Sequence, residues 1–239
     1  MESIYETILN ILKNGYYIPY VHLTLYLATN DAFLSTIVTL KMYPANYFYW
    51  HHEYYSYETK PEWLRRYIGN PFENRGYIKQ IIRFTDTGHL ISFMYWLSPD
   101  YMPMAFITHF VITTGYWSGQ ILFGMKDAHK KQISGFDNRF EQIWSGANHG
   151  LILSMLSYRI PMDCVPFTSI QLSNTVIWNY SWLLFVYVPW RYITGDPVYN
   201  VLSKEKTWLE IAKFLGYIHV LTILGWFTGY TITSTVCPS

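Results

Sequence analysis

Apolar residues along this chain gather into six long runs, at about 17–40, 81–97, 102–125, 141–158, 168–190 and 208–233. Each approaches the ~20 mostly apolar residues that a helix needs to cross the hydrocarbon core of a bilayer. The pattern predicts an all-α integral membrane bundle of six transmembrane helices, forming a single polytopic domain over 1–239. The first run is the weakest, with Asn30 and Asp31 inside it, whereas the third carries no formal charge. Two stretches outside the runs also carry a pattern. Ile4, Ile8, Ile11 and Leu12 recur at helical spacing and predict a short interfacial helix at the start. The longest connection, 41–80, is mixed in charge and rich in rings (YPANYFYWHHEYYSYETKPEWLRRY). It is expected to lie on the membrane surface, with a short amphipathic helix around 61–67.

Composition narrows the class. The chain has 239 residues, 51% hydrophobic and only 14% charged, where soluble domains run near ~25% charged. It is too apolar for disorder. The 17 basic and 16 acidic residues leave a net charge of +1, without the electrostatic footprint of a nucleic-acid binder. A mean hydropathy of +0.05 is low for a multi-span protein. The 23 Tyr and 10 Trp account for much of this, because hydropathy scales rate these rings as nearly polar although they anchor at bilayer boundaries. Trp96, Trp144, Trp190 and Trp208 fall at expected belt positions, near the ends of spans.

The basic residues orient the bundle. With six spans, one side holds Lys13 and Arg159, and the other holds the remaining 15 of the 17 Lys and Arg. The positive-inside rule then places both termini on the less basic outer, intermembrane-space or lumenal side. The start carries Glu2 and Glu6 and no basic n-region, so no signal peptide is expected. Cys164 and Cys237 both fall on the outer side, where two free thiols or one disulfide are compatible with the sequence.

Ionisable residues within spans each ask for a reason. Arg83, Glu210 and Lys213 lie close enough to an interface to snorkel, and His109 and His219 each read as a lone histidine packed in apolar surroundings. His51, His52 and Glu53 are consecutive, but no two histidines stand three or four apart, so no metal is expected. There is no glycine-rich phosphate loop and no Gly-x-Ser-x-Gly elbow, and no cofactor is expected either. What remains is Thr85 early in the second span and His149 early in the fourth. They lie roughly 6 and 12 Å from the basic face at 1.5 Å per residue, in the same leaflet. A hydroxyl with a histidine base suffices for acyl transfer, and Asp86 or Asn148 could orient the ring or donate to an oxyanion. The plainer role for a membrane threonine is a bond to the preceding turn of its own helix.

Three segments carry a family resemblance. They are Phe-Thr-x-x-Gly-x-Leu at 84–90, Asn-His-Gly at 148–150, and Tyr-x-Thr-Gly-x-x-Val-Tyr-x-x-Leu at 192–202. In order and in spacing from the spans, the chain resembles the androgen-induced protein family, which includes the androgen-dependent TFPI-regulating proteins. These are six-span membrane hydrolases that use a threonine and a histidine. The resemblance implies Thr85 as nucleophile, His149 as base, and lipid esters such as fatty acid esters of hydroxy fatty acids as substrates. Family members can carry two histidines three residues apart in the fourth span; here the position three after His149 is Ile152.

Two further readings stand beside the hydrolase. One is a non-catalytic accessory subunit of a large mitochondrial inner-membrane respiratory complex, built on the same fold. The Tyr-rich, Ala-poor composition of an AT-rich coding sequence suggests it, and the aromatic segment 42–78 would dock on other membrane subunits. The other is a small transporter, for which only Asn30–Asp31 and Gly88 offer broken-helix signals. The expected partners are membrane lipids, in the mitochondrial inner membrane or an endomembrane.

Overall fold

A computed structural model of the chain describes residues 3–54, 83–122, 136–194, 199, 202 and 206–237. The surface helix expected at 61–67 lies outside these residues, as do the side chains of His51, His52, Glu53 and Trp144. The described residues are mostly helical and contain no strand. Chain contacts define two compact units, Met1–Lys79 with Ala128–Asn148, and Gln80–Asp127 with His149–Ser239.

In the first unit, α1 (Ile4–Lys13) opens on a capping box, in which Ser3 Oγ accepts from Glu6 N–H and Glu6 Oε2 accepts from Ser3 N–H, both at 3.2 Å. Its Ile4, Ile8, Ile11 and Leu12 face outward. Gly15, at φ +66°, turns the chain into α2 (Ile18–Thr29). The sequence expectation of one span over 17–40 fails at the next step. Asn30 takes a left-handed conformation at φ 52° and ends α2, a conformation that Asn tolerates better than most residues. Asp31 then caps α3 (Ala32–Tyr54) by accepting from the N–H groups of Phe33 at 2.8 Å and Leu34 at 3.1 Å. The chain therefore reverses. His22 Nδ1 lies 3.0 Å from Thr39 Oγ1, and the Tyr17 hydroxyl donates to Asn46 Oδ1 at 2.8 Å, so α2 and α3 form an antiparallel hairpin. The expected surface connection likewise begins later, because α3 runs on to Tyr54.

The second unit contains α4 (Phe84–Leu97), α5 (Met102–Leu122) and the part of α6 (Phe136–Asp163) from His149 onward. It continues with α7 (Ser169–Ser181), a π-helical stretch (Trp182–Tyr187), α8 (Val188–Thr194) and α9 (Trp208–Val236). With 14 residues, α4 is about 21 Å long, short of the ~30 Å hydrocarbon core. Among the described residues, α9 is the one helix both long and apolar enough to cross a membrane. Its Val220, Ile223, Leu224 and Phe227 face outward. Trp208 sits 86% exposed at its start, whereas Trp190 is 9% exposed and packs inward.

Small residues bring these helices together. A Cβ on Gly88 would lie 2.3 Å from Ile112 Cδ1, so α4 and α5 touch at this glycine. Beside it the His89 ring stacks on His109, centroids 5.5 Å apart; His109 is thus half of a buried pair and not a lone packing residue. On α9, Gly225 and Gly229 form a Gly-x-x-x-Gly face, the pattern that lets a neighbour approach the backbone. Phe110 of α5 covers Gly225, and Phe167 covers Gly229 so closely that a Cβ there would fall 2.1 Å from the ring. Phe167 packs edge-on against Phe106, and the Trp226 indole donates to Thr168 C=O at 3.0 Å. Below this layer Cys164 and Cys237 are bonded, joining the end of α6 to the end of α9 across 73 residues of chain. Tyr95 donates to Asp163 at the same end, and Arg159 donates to the Tyr95 hydroxyl at 3.4 Å.

Three substitutions should separate these contributions to stability. Gly229→Ala should destabilise the second unit by about 1–3 kcal/mol, because the ring of Phe167 must move. Gly216→Ala, on the same helix with open space around it, should be neutral or stabilising by up to about 1 kcal/mol. Thermal unfolding in detergent distinguishes them. Cys164→Ser should cost about 4 kcal/mol through the lost loop constraint, read as a lower Tm that reductant produces in the wild type but not in the variant.

Candidate functional site

The N-terminus of α4 has no side-chain cap from its own segment: Arg83 is extended, at ψ 146°, and makes none. The first N–H, that of Phe84, instead donates to the hydroxyl of Tyr199 at 3.0 Å. Thr85 is the second residue of the helix and is buried. Thr39, Thr175, Thr222 and Thr233 all donate to the carbonyl four residues back. The carbonyl four residues before Thr85 lies outside the described residues, and the hydroxyl of Tyr199 sits against the first turn that carries Thr85. A helix N-terminus also favours negative charge developing nearby.

Thr85 lines a cavity of about 170 Å³ whose lining residues all belong to the second unit. His149 lines the same cavity. Its ring stacks almost flat on Tyr116, with centroids 3.8 Å apart and planes 9° apart, which fixes its orientation. Most of the wall is apolar, with Val111, Ile112, Leu183, Phe214, Leu215 and Ile218 contributing. The polar lining includes Thr85, His149, Tyr199, Asn179, Thr222 and His219, the last of which a reading as a packed, isolated histidine does not anticipate. Asn179 Nδ2 donates to Thr222 Oγ1 at 3.2 Å, and Thr222 spends its own proton on Ile218 C=O. That assignment fixes the Asn179 amide, because Thr222 can then only accept.

The π-helical stretch shapes the wall. Such stretches inside helical runs often occur at functional sites, and here it presents Trp182 and Leu183 to the cavity. Trp182 packs edge-on against Phe84 at 5.2 Å and against Tyr199 at 6.2 Å. Tyr187 donates to Leu202 C=O at 3.0 Å and accepts from Arg191. These contacts hold 199 and 202 over the start of α4. Burial pushes the Tyr199 phenol up from its ordinary range, against the opposing pull of the Arg83 charge and the bonds from Phe84 and Thr85.

Of the residues singled out from the sequence, Thr85 and His149 share the cavity, and Asp86 and Asn148 do not line it. Asp86 sits in the first turn of α4, its N–H donating to Arg83 C=O at 3.0 Å. Asn148 precedes His149 on α6 and is buried, its Oδ1 without a hydrogen-bond partner among the described residues. Tyr199 lies inside the 192–202 motif but had no role assigned from sequence. Tyr116 and Asn179 carry no motif and reach the cavity through helix packing alone. No group of three His, Cys, Asp or Glu side chains able to hold a metal occurs among the described residues. Compared with protein-family models, curated proteins and solved structures, the chain finds no match.

Proposed function

We propose that this chain is an integral membrane hydrolase that cleaves lipid esters through Thr85 and His149. One observation carries the reading. The three segments that resemble the androgen-induced protein family, far apart in sequence, contribute Thr85, His149, Tyr199 and Leu202 to a single cavity. The apolar wall suits an acyl chain, and its few polar groups suit one ester.

In the proposed reaction, Thr85 Oγ attacks the ester carbonyl carbon while its proton passes to the His149 imidazole. The carbonyl π electrons move onto oxygen near the positive end of α4. They return as the bond to the alcohol oxygen breaks, and the alcohol leaves with the proton from His149. Water then attacks the acyl-threonine, gives a proton to His149, and releases the fatty acid as that proton returns to Thr85. Ester and water become acid and alcohol, with no other reactant.

Membrane residence is part of the same proposal. It is supported by the outward apolar face of α9 and by the exposed apolar side of α1. The Cys164–Cys237 bond joins two ends that the basic-residue count assigns to the outer side, where oxidising conditions favour a disulfide. The hairpin at Asn30–Asp31 replaces one of the six expected spans with two antiparallel helices.

Labelling with a fluorophosphonate probe tests the site. The wild type should form an Oγ–phosphorus bond with loss of fluoride, and Thr85→Ala should lose all of that labelling. His149→Ala should slow it by about 100-fold or more, the scale of a missing general base. Equal labelling of wild type and Thr85→Ala would sink the hydrolase and leave the accessory-subunit and transporter readings.

A further inference from the structure

We propose that the cavity admits an acyl chain sideways from the bilayer, between α7 and α9, so that its carbonyl end lies inside and the rest of the chain stays in the lipid. The inference rests on the reading of the cavity as a lipid site within a membrane, and not on the chemistry at Thr85.

Exposure locates the opening. Of the residues that line the cavity, Tyr180 and His219 are the exposed ones, and the others are buried or half-buried. Tyr180 lies on α7 and His219 on α9. The Asn179–Thr222 bond joins the same two helices beside them, Asn179 next to Tyr180 and Thr222 three residues after His219. On α9 the lining runs from Thr222 back toward the start of the helix, through His219, Ile218, Leu215 and Phe214.

The rim of this opening is apolar. Ile177 stands three residues before Tyr180, and Ile223 four after His219, spacings that put each on the same side of its helix. They are 62% and 43% exposed. A water-soluble ligand gains nothing from such a rim, whereas an acyl chain passes from lipid to cavity without losing apolar surroundings.

Depth points the same way. His219 is 11 residues beyond Trp208, about 16 Å along α9 at ~1.5 Å per residue. With Trp208 at the membrane boundary, that is near the middle of a hydrocarbon core ~30 Å thick. An ionisable side chain exposed at that depth is costly, and residues of this kind mark substrate pathways.

Size decides which part of the chain is inside. The cavity, at about 170 Å³, is smaller than the ~300–1,000 Å³ of sites that enclose a whole drug-sized ligand. An apolar cavity of about 150 Å³ holds one benzene. A long acyl chain therefore enters only in part. Thr85 and His149 stand at the wall, so the ester or carboxyl end is the part that gains from entering.

The experiment uses the full chain in phosphatidylcholine vesicles and a palmitic acid that carries a diazirine, either beside the carboxyl or near the methyl end. After irradiation the cross-links are mapped by mass spectrometry. The carboxyl-side probe should reach Val111 and Ile112, which are buried on α5 and line the cavity, and excess plain palmitate should remove these cross-links. The methyl-end probe should miss both residues. His219→Trp narrows the opening and should lower the α5 cross-link by about 10-fold or more. Leu224→Trp, exposed on the same helix but outside the cavity lining, should leave it within about twofold. If His219→Trp does not fold, Tyr180→Trp narrows the opening from α7 and decides. Wild-type cross-linking in the opening variants, or equal labelling of Val111 and Ile112 by the two probes, overturns the inference. Fluorophosphonate labelling of the same samples separates it from the hydrolase. Opening-dependent cross-links without Thr85-dependent labelling support this inference and overturn the hydrolase, whereas Thr85-dependent labelling without α5 cross-links overturns this inference alone.

Discussion

A helix begins with N–H groups that its own backbone cannot satisfy, and α4 begins without a cap from its own segment. The hydroxyl of Tyr199, 115 residues away, meets the first of them. Such a bond contributes about 1 kcal/mol net, while leaving a buried donor unpaired costs about 1–3 kcal/mol. The larger effect is geometric. The bond pins the segment after the π-helical stretch to the start of the helix that carries Thr85. Trp182 and Tyr187 hold that segment from the other side. Phe84, Thr85, Trp182 and Tyr199, which meet at this junction, all line the cavity.

The rest of the second unit keeps the junction in place by close approach rather than by charge. Gly88, Gly225 and Gly229 remove side chains where Ile112, Phe110 and Phe167 must enter. Close approach of this kind gives each helix a specific neighbour, because only a glycine leaves room for the ring or chain that enters. The Cys164–Cys237 bond closes the end opposite the start of α9. It sits beside the Tyr95–Arg159–Asp163 cluster, so one end of the unit is tied covalently and by polar bonds. The cavity, by contrast, is bounded by rings and aliphatic side chains.

The first unit shows how a few polar residues overrule an apolar run. By hydropathy, 17–40 reads as a span. Asn30 can adopt a left-handed conformation and Asp31 can cap a new helix, and together they cost little where a continuous helix offers them nothing. His22, Thr39, Tyr17 and Asn46 then find one another across the hairpin. The polar residues inside the run were therefore the informative ones.

Read alone, the sequence determined the helical class, the amphipathic helix at the start, the placement of most later helices to within a few residues, and Thr85 and His149 as the pair to examine. Those features rest on local periodicity, helix caps and spacing along single elements, which the chain order displays directly. Tertiary structure alone decided the rest: that 17–40 folds back on itself, that Cys164 and Cys237 meet, that His109 pairs with His89, and that Tyr116 stacks on His149. It also decided that Tyr199 caps α4. Each of these joins residues from different elements, or depends on which of two local conformations the surroundings stabilise. Distance along the chain carries no information about either.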